Sequence, residues 1–318
     1  MTTSSRLVTV FGGSGFIGAQ AVRELARRGW RIRVAVRRPN NAHDLRPLGD
    51  VGQIQLMRCD VTRQADVEAA LRGADAVVNL VGTFDTRRFK AAHVDAVRFI
   101  AEGCAANGIA RLVQVSANGA DPESPSAYAR TKAEGEAIAR AHAPDAVILR
   151  PSVVFGPGDS FLNRFAAMAA MTPVLPLIGG ETRLQPVYVG DVAEAIARAV
   201  DRPEPAGRTF VLGGPSVGTL REILEMILRE TQKERLLAPV PFFVARPLGA
   251  LLQLSQWVGI TPPLTRDQVL MLQSDNVAPD DAEGLAALGI TPIGMEAIAP
   301  SYLWLYRRGG QFAETVPV

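Results

Sequence analysis

Hydrophobic positions in roughly the first half of the chain follow an alternating pattern. Short runs rich in valine, isoleucine and leucine are each followed by an alanine-rich stretch with apolar residues at helical spacing. The runs contain few polar residues, as is typical of strands that are buried on both faces of a parallel sheet. We therefore predict an α/β fold, a Rossmann-type doubly wound parallel sheet with a smaller C-terminal α/β portion. The predicted strands are residues 6–11, 31–37, 54–60, 74–82, 111–117 and 146–155.

After Pro151 this alternation becomes less regular. The predicted elements here are a helix (161–171), a loop (173–180), a strand leading into a helix (184–200), a strand (208–214) and a helix (219–232). We expect a first domain over residues 1–155 and a smaller C-terminal domain over 156–318. Residues 184–214 could pack back on the first domain, because they repeat the strand and helix signals of the first half.

Residues 236–265 depart from both patterns, because these thirty residues contain a single charge, Arg246. A transmembrane helix needs about 20 consecutive apolar residues, and the five prolines of this segment argue against a spanning helix. One interpretation is an interfacial segment on a membrane or a partner, with Lys233, Arg235 and Arg266 at the level of the lipid headgroups. The alternative is a buried helix of the C-terminal domain.

Composition excludes several classes of protein. Charged residues make up 21% of the chain and the net charge is +2, so no nucleic-acid partner is expected. Cys59 and Cys104 form no CxxC pair, which favours a reducing compartment, and the N-terminus lacks the apolar core of an export signal. The histidines at 43, 93 and 142 have no metal-ligand spacing, so we expect no metal site.

Glycines cluster between the first predicted strand and the helix that follows it, in the sequence GGSGFIG. Gly12 permits a tight turn, Gly15 permits close approach of a pyrophosphate, and Gly18 permits the helix to pack on the strand. The first helical residues, Phe16 and Ile17, offer backbone N–H groups to the anion. The first domain is therefore predicted to bind a dinucleotide. The GxxGxxG spacing resembles that of the extended and atypical short-chain dehydrogenase/reductases.

The second predicted strand indicates which dinucleotide is bound. An NAD site places Asp or Glu at the end of this strand, whereas Arg37 and Arg38 stand here and can pair with a 2′-phosphate. The pattern favours NADPH; the alternative is that both arginines face solvent in an arginine-rich chain. The superfamily resemblance adds adenine contacts at Asp60 and Val61 and ribose contacts at Val81 and Gly82.

Tyr128 and Lys132 form a YxxxK motif, which on a helix places both side chains on one face, one turn apart. In the superfamily that the chain resembles, the lysine holds the nicotinamide ribose and lowers the tyrosine pKa, and the tyrosine exchanges a proton with the substrate. Ser116 is placed like the third member of that site. Pro151 and Ser152 match the segment that backs the nicotinamide ring.

Groups that would hold a substrate are sparse in the C-terminal portion. A sugar-nucleotide epimerase needs polar and basic residues there, but residues 161–180 have only Asn163 and Arg164 as such residues near their start. We therefore expect no independent catalysis, with the Ser116, Tyr128 and Lys132 set holding a ribose as the remnant of a catalytic site. The alternative is a soluble NAD(P)-dependent epimerase or reductase of the extended short-chain dehydrogenase type.

Over nearly its whole length the chain resembles the nucleotide-binding accessory subunits of respiratory complex I (NADH:ubiquinone oxidoreductase), in a bacterial form. The segments that carry this resemblance, in order, are FGGSGFIG, RIRVAVRRP, VGQIQ, GADAVVNLVG, YARTKAEGE, RPSVVFGPGDSFLNRFA, PVLPLIGG and QPVYVGDVA. The resemblance implies a tightly held NADPH that stabilises the subunit and is not oxidised in turnover. It also implies docking to other complex I subunits on the peripheral arm near its junction with the membrane arm. The expected location is the cytoplasmic side of the bacterial inner membrane, with 236–265 as the membrane or membrane-arm contact.

Overall fold

In the computed structural model, which describes residues 6–258, 262 and 264–312, the chain divides into two units. The first unit comprises Met1–Pro151, Val189–Leu212 and Pro279–Thr291, and the second comprises Ser152–Tyr188, Gly213–Ala278 and Pro292–Val318. Two segments that follow residue 155 along the chain thus belong to the first unit. One of them supplies a strand to the main sheet of that unit and a helix that packs beside it.

The elements follow one another along the chain in two series. The strands are β1 (Leu7–Phe11), β2 (Arg31–Val36), β3 (Ile54–Arg58), β4 (Ala76–Asn79), β5 (Leu112–Val115), β6 (Val147–Pro151), β7 (Val154–Phe155), β8 (Val174–Leu177), β9 (Arg183–Leu184), β10 (Val187–Tyr188), β11 (Thr209–Leu212), β12 (Gly218–Thr219) and β13 (Leu236–Pro239). The α-helices are α1 (Phe16–Arg27), α2 (Gln64–Leu71), α3 (Ala96–Ala106), α4 (Ala127–His142), α5 (Leu162–Met171), α6 (Val189–Asp201), α7 (Leu220–Thr231), α8 (Phe242–Gln253), α9 (Arg266–Met271), α10 (Met295–Ile298) and α11 (Pro300–Leu303).

A seven-stranded parallel sheet in the order β11-β6-β5-β4-β1-β2-β3 forms the first unit. The strand order reverses between β1 and β4, which are neighbours in the sheet. Ligands of doubly wound sheets bind at the carboxyl ends of the strands beside this reversal. The predicted fold class is confirmed, and the reversal places the loop after β1 next to the end of β4.

Helices cover both faces of this sheet. Val10 and Val34 lie on the α1 face of the sheet, because a Cβ atom added to Gly13 would approach both of them and Val22 of α1. Phe11 points to the opposite face and packs in one apolar cluster with Leu71 of α2 and Ile100 of α3. Since side chains alternate between the faces of a strand, both sets of positions must be apolar. This explains the runs of apolar residues in the sequence.

The second unit has its own apolar core, which α5, α7 and α11 enclose together with short strand pairs. The parallel pairs are β7 with β10 and β8 with β13, and β9 pairs with β12 antiparallel. Helix α7 begins with a capping box, because Thr219 and Glu222 each accept a hydrogen bond from the other's backbone N–H. The cap stabilises the start of a helix whose apolar face fills this core.

The predicted loop at 173–180 is wrong in part, because Val174–Leu177 forms strand β8. It pairs in parallel with β13, and its side chains alternate so that Leu175 and Leu177 are buried. Pro173 and Pro176 are unfavourable in most strands, since proline cannot donate to a sheet ladder. In a two-stranded sheet each strand bonds on one side only, so a proline is tolerated.

The apolar segment 236–265 contains β13 and α8, and residues 259–261 and 263 lie outside the described part of the chain. Within the described residues, no helix has the length and hydropathy that crossing a membrane requires. The segment therefore has no spanning helix among its described residues.

Helix α8 exposes its large apolar side chains, whereas an ordinary surface helix buries them. Its large apolar side chains are exposed, with Phe243 at 77% and Leu251 at 65%, whereas the small residues Ala245 and Gly249 are buried. A Cβ atom at Gly249 would lie 3.1 Å from the backbone at the start of α9, so the small residues allow the two helices to pack closely. The outer surface of α8 is left apolar.

Candidate functional site

The glycine-rich loop after β1 is held in backbone contact with its surroundings. Gly12 has a φ of +78°, and a Cβ atom added to it would lie 3.0 Å from the Leu80 carbonyl carbon at the end of β4. The Gly15 N–H donates to the Gly12 carbonyl at 3.0 Å. A Cβ atom at Gly18 would lie 2.7 Å from the backbone of Gly13 and would overlap the Gly12 carbonyl oxygen. Only glycine fits at position 18 without moving the loop.

Helix α1 begins directly after this loop at Phe16, with Gly15 as its N-cap. No side chain of the described residues caps it, and its first turn has no acidic residue. The first N–H groups of a helix lack partners within the helix, and the helix dipole favours an anion beside them. The backbone around Ile17 and Gly18 is therefore suited to a phosphate group.

The residues predicted at the adenosine end lie at the carboxyl ends of β2 and β3. Arg37 and Arg38 follow β2 and are exposed. Asp60 accepts hydrogen bonds from the Thr62 hydroxyl at 2.8 Å and the Thr62 N–H at 3.1 Å, which lower the pKa of its carboxyl; the charge of Arg37 lowers it further. Val61 packs against the apolar cluster of this unit. Arg37 and Asp60 are thus close enough to interact.

The end of β4 is fixed by buried amide side chains. The Asn79 Nδ2 donates to Gln114 Oε1 at 2.8 Å, and Asn79 Oδ1 accepts from the Val81 N–H at 3.0 Å. At Gly82, a Cβ atom would lie 3.6 Å from Lys132 Nζ. The structure therefore brings the predicted ribose contacts at Val81 and Gly82 beside the lysine of the YxxxK motif.

Tyr128 and Lys132 lie on α4, whose N-cap is Ser126; the Ser126 hydroxyl accepts from the Ala129 N–H. Lys132 is buried, its Nζ donates to the Val115 carbonyl at 3.4 Å, and it lies 5.9 Å from the Tyr128 ring centroid. Burial lowers the pKa of Lys132 to about 8, although the Glu136 carboxylate acts in the opposite direction. The ammonium is therefore held at an energetic cost in a poorly solvated position.

Glu136 and Arg150 form a two-bond ion pair, with distances of 2.9 and 2.6 Å, which joins α4 to β6. Pro151 ends β6 and is buried. Ser152 belongs to the second unit, and its hydroxyl donates to the Asn276 carbonyl at 3.0 Å. The proposed contact of Ser152 with a nicotinamide ring stays a prediction.

Ser116 follows β5 and is buried, with its N–H donating to the Leu149 carbonyl at 2.7 Å. Its hydroxyl oxygen has no hydrogen-bond partner among the described residues. Leaving such a group unpaired costs about 1–3 kcal/mol. An orphaned hydroxyl at the carboxyl edge of the sheet fits a site that a bound ligand completes, as the glycine loop does.

The Tyr128 ring packs against three aromatic side chains that sequence reasoning missed. Phe84 stacks on it at 4.9 Å between centroids, while Phe89 and His93 meet it edge-on at 5.8 and 5.2 Å. The histidines were considered in the sequence only as metal ligands. Where the chain is described, no three His, Cys, Asp or Glu side chains are grouped to hold a metal ion. The useful signal for His93 would have been its tertiary position, which residue spacing does not encode.

Asp159 and Asn163, polar residues near the start of the second unit, are bonded to tyrosines of the same unit. Asp159 accepts a hydrogen bond from the Tyr302 hydroxyl at 2.7 Å. Burial raises the pKa of Tyr302, and the interaction with Asp159 raises it further. Asn163 Oδ1 accepts from the Tyr306 hydroxyl at 3.0 Å, while its Nδ2 is buried without a partner among the described residues. Burial lowers the pKa of Arg164. Tyr302 and Tyr306, for which the sequence suggested no chemistry, thus hold the loop before α5 and the first turn of α5.

Comparison with known proteins adds three findings on the sequence side. Residues 8–213 match the NAD dependent epimerase/dehydratase family. The mouse protein named NADH dehydrogenase (ubiquinone) 1 alpha subcomplex subunit 9, mitochondrial, is 33% identical, and the alignment covers 99% of this chain and 85% of that protein. The ceramide reductase of Caulobacter vibrioides is 34% identical over an alignment that covers 61% of each chain. One relative is named as a subunit and the other as an enzyme.

Among solved structures, the NADPH-dependent quinone oxidoreductase QOR2 of Escherichia coli, crystallised with NADPH, superimposes with a TM-score of 0.74. The superposition covers 92% of this chain and 98% of that one at 18% sequence identity. At this identity the likeness concerns the fold alone.

Proposed function

The chain belongs to the NAD dependent epimerase/dehydratase family, and on that premise we propose that it is an NADPH-binding accessory subunit of NADH:ubiquinone oxidoreductase, respiratory complex I. The observation that carries the proposal is the similarity to the mouse subunit over 99% of this chain and 85% of that protein. This similarity extends through the second unit, where proteins that share a nucleotide-binding fold differ in function.

The dinucleotide is proposed to lie along the carboxyl edge of the seven-stranded sheet. The pyrophosphate would lie on the glycine loop and the start of α1, and the nicotinamide ribose beside Lys132, Tyr128 and Ser116. The closely packed glycine loop and the orphaned Ser116 hydroxyl support this placement. When bound, a nicotinamide cofactor can donate or accept a hydride. The remaining proposed contacts are Arg37, Arg38, Asp60, Val61, Val81, Gly82 and Pro151.

The cofactor is proposed to be NADPH, because Arg37 and Arg38 follow β2 where an NAD site has an acidic residue. Both side chains are exposed and Arg37 is near Asp60, so a 2′-phosphate entering here would find a guanidinium group. Arginine suits this role because its planar fork of N–H donors matches a phosphate.

Within the complex the cofactor is proposed to be held without being consumed. Phe84 lies flat on the Tyr128 ring, which restricts the approach of a substrate to that face of the ring. In the second unit, Asn163 Oδ1 already accepts from Tyr306, and few other polar groups occur in 161–180. Tyr128 and Lys132 then serve to bind the ribose, and the bound nucleotide stabilises the folded subunit.

Helix α8 is proposed as the contact with the membrane surface or the membrane arm, on the cytoplasmic side of a bacterial inner membrane. Its exposed Phe243, Leu248 and Leu251 form an apolar surface with Arg246 as the only charge of the helix. Large exposed apolar patches mark interaction sites in stable proteins. A helix of this kind lies in an interface rather than across it.

A second candidate function is a reductase or epimerase, since Ser116, Tyr128 and Lys132 are all present. Lys132, with its pKa lowered to about 8 beside the tyrosine, is the observation that favours it. The name of the Caulobacter vibrioides relative is in keeping with this alternative.

The two functions are separated by purification from native membranes. We expect that a tagged copy of the full chain, expressed from its own locus and extracted in mild detergent, co-purifies with the NADH-oxidising subunits of the complex. A chain that is recovered alone, and that turns over NADPH with a ketone or a sugar nucleotide, would establish the enzyme instead.

A further inference from the structure

A buried histidine lies beneath the Tyr128–Lys132 pair. His93 is only 1% exposed and lies in a π-helical turn, Lys90–Asp95, that leads into α3. Such turns are rare and often occur at functional sites. The carbonyl oxygen of His93 lies so close to Gly135 of α4 that a Cβ atom there would overlap it. The turn and α4 are therefore in direct backbone contact.

Both ring nitrogens of His93 have partners, on different elements. The Thr83 N–H, in the loop after β4, donates to Nε2 at 3.2 Å. Nδ1 lies 3.0 Å from the Thr131 hydroxyl oxygen, and that hydroxyl donates to the Ala127 carbonyl at 2.9 Å. Since the hydroxyl proton is used, the oxygen accepts from Nδ1–H. The imidazole is thus neutral, protonated on Nδ1, and it joins the loop to α4.

The surroundings keep this imidazole neutral. Burial, together with the charge of Lys132, lowers the pKa of His93 to about 3. The ring also stacks on Phe89 at 5.3 Å and meets Tyr128 edge-on. A proton on Nε2 would face the Thr83 N–H, so charging the ring would break the bridge.

Gly82 lies close to both His93 and Lys132. The position of a Cβ atom there is 3.6 Å from Lys132 Nζ and 4.0 Å from His93 Nε2. The residue that joins the loop to α4 therefore lies at the place where the ribose contacts and the YxxxK motif come together.

We propose that His93 is a positioning residue, which as a neutral bridge between the loop after β4 and α4 holds Tyr128 and Lys132 in register with the nicotinamide ribose. This rests on the proposed binding of a dinucleotide. An ordinary core histidine would serve only to fill space, and a leucine of similar size would replace it. If His93 is a bridge, its loss instead weakens binding at the nicotinamide end of the dinucleotide and leaves binding of the adenosine end unchanged.

The test compares NADPH with adenosine 2′,5′-bisphosphate, which carries the adenosine end alone. In the full chain, freed of nucleotide, His93→Leu is expected to weaken NADPH binding by about tenfold, the loss of the two bridging hydrogen bonds. Binding of adenosine 2′,5′-bisphosphate should stay within about twofold of the wild type. The matched control is His142→Leu, at an exposed histidine that ends α4, the helix of Tyr128 and Lys132; it should change neither affinity.

His93→Gln keeps an acceptor for the Thr83 N–H and should recover part of the lost NADPH affinity; it also carries the comparison if His93→Leu does not fold. Unchanged NADPH affinity in His93→Leu, or equal weakening of both ligands in His93→Gln, would overturn the positioning role. A wild-type protein that binds neither ligand would instead overturn the proposed function, and this proposal with it.

Discussion

At the scale of single residues, Lys132 shows a conflict between stability and binding. Its ammonium is buried beside the Val115 carbonyl, and the nearby Glu136 carboxylate is already bonded to Arg150. The charge is therefore only partly compensated in the folded chain. Groups held in this way are typical of binding and catalytic sites, where a ligand later provides the missing interactions.

Replacing Lys132 by methionine should stabilise the nucleotide-free protein. The pKa of Lys132 is lowered from 10.5 to about 8 on folding, so burial of the charged form costs up to about 3 kcal/mol near neutral pH. Between these two pKa values the unfolded chain binds more protons, so the stability of the wild type rises with pH. The advantage of Lys132→Met, measured by urea unfolding, should therefore be larger at about pH 7 than at about pH 10. A variant that is less stable than the wild type at neutral pH would contradict the burial argument.

Arg37 is expected to select the 2′-phosphate. Arg37→Asp should weaken NADPH binding by about tenfold or more, since it replaces a charge-assisted hydrogen bond by repulsion, and should leave NADH binding nearly unchanged. Arg202→Asp, at an exposed arginine remote in sequence, is the control. The measurement is a pair of dissociation constants for each variant, and an equal loss for both nucleotides would refute the assignment.

At the scale of elements, the loop between β1 and α1 depends on contacts that backbone atoms make. Gly18→Ala should lower the free energy of unfolding by about 1–3 kcal/mol and reduce NADPH retention, because the new Cβ atom meets the backbone of Gly12 and Gly13. Gly218→Ala in β12 is the matched control, since the nearest atom to its Cβ is the end of the Glu222 side chain at 3.4 Å, an ordinary contact distance. Thermal melting of both variants decides the point, and equal destabilisation would show that the loop can adjust.

The exposed apolar side chains of α8 are expected to attach the protein to the membrane and to contribute little to the stability of the fold. Phe243→Glu combined with Leu251→Glu alters two exposed positions, so the variant should keep the melting temperature of the wild type and leave the membrane fraction. Ala245→Glu, at a buried position on the same helix, should instead destabilise the fold. Retention of the double variant on membranes would exclude α8 as the attachment site.

Elements whose signals are local in the sequence could be predicted, and elements that depend on distant partners could not. The apolar runs from Leu7 to Phe11 and from Ala76 to Asn79 indicate buried strands directly. Strand β8, by contrast, has prolines and forms because β13 is available to pair with it. The π-helical turn that carries His93 has no characteristic sequence pattern, and it lies in close contact with the backbone of Gly135, which is far from it in the chain.

At the scale of the whole molecule, the sequence indicated the fold class and the return of residues 184–214 to the first domain as an expectation, but not the order of the strands in the sheet. Val189–Leu212 follows the predicted boundary at residue 155, yet it adds β11 beside β6 and α6 beside α1. Sheet order is decided by tertiary contacts between strands that are far apart in the chain, and hydrophobic periodicity carries no record of it. For the same reason the aromatic packing around Tyr128 could not be predicted from the YxxxK spacing.

We propose that this chain holds an unconsumed NADPH as a subunit of complex I. The most direct measurement is the amount of the chain and of NADPH in complex purified from native membranes, before and after turnover with NADH and a quinone. We expect the chain and NADPH to be present in amounts equal to those of the core subunits, and both amounts to be unchanged by turnover. Absence of the chain from the complex, or oxidation of its NADPH in step with quinone reduction, would contradict it.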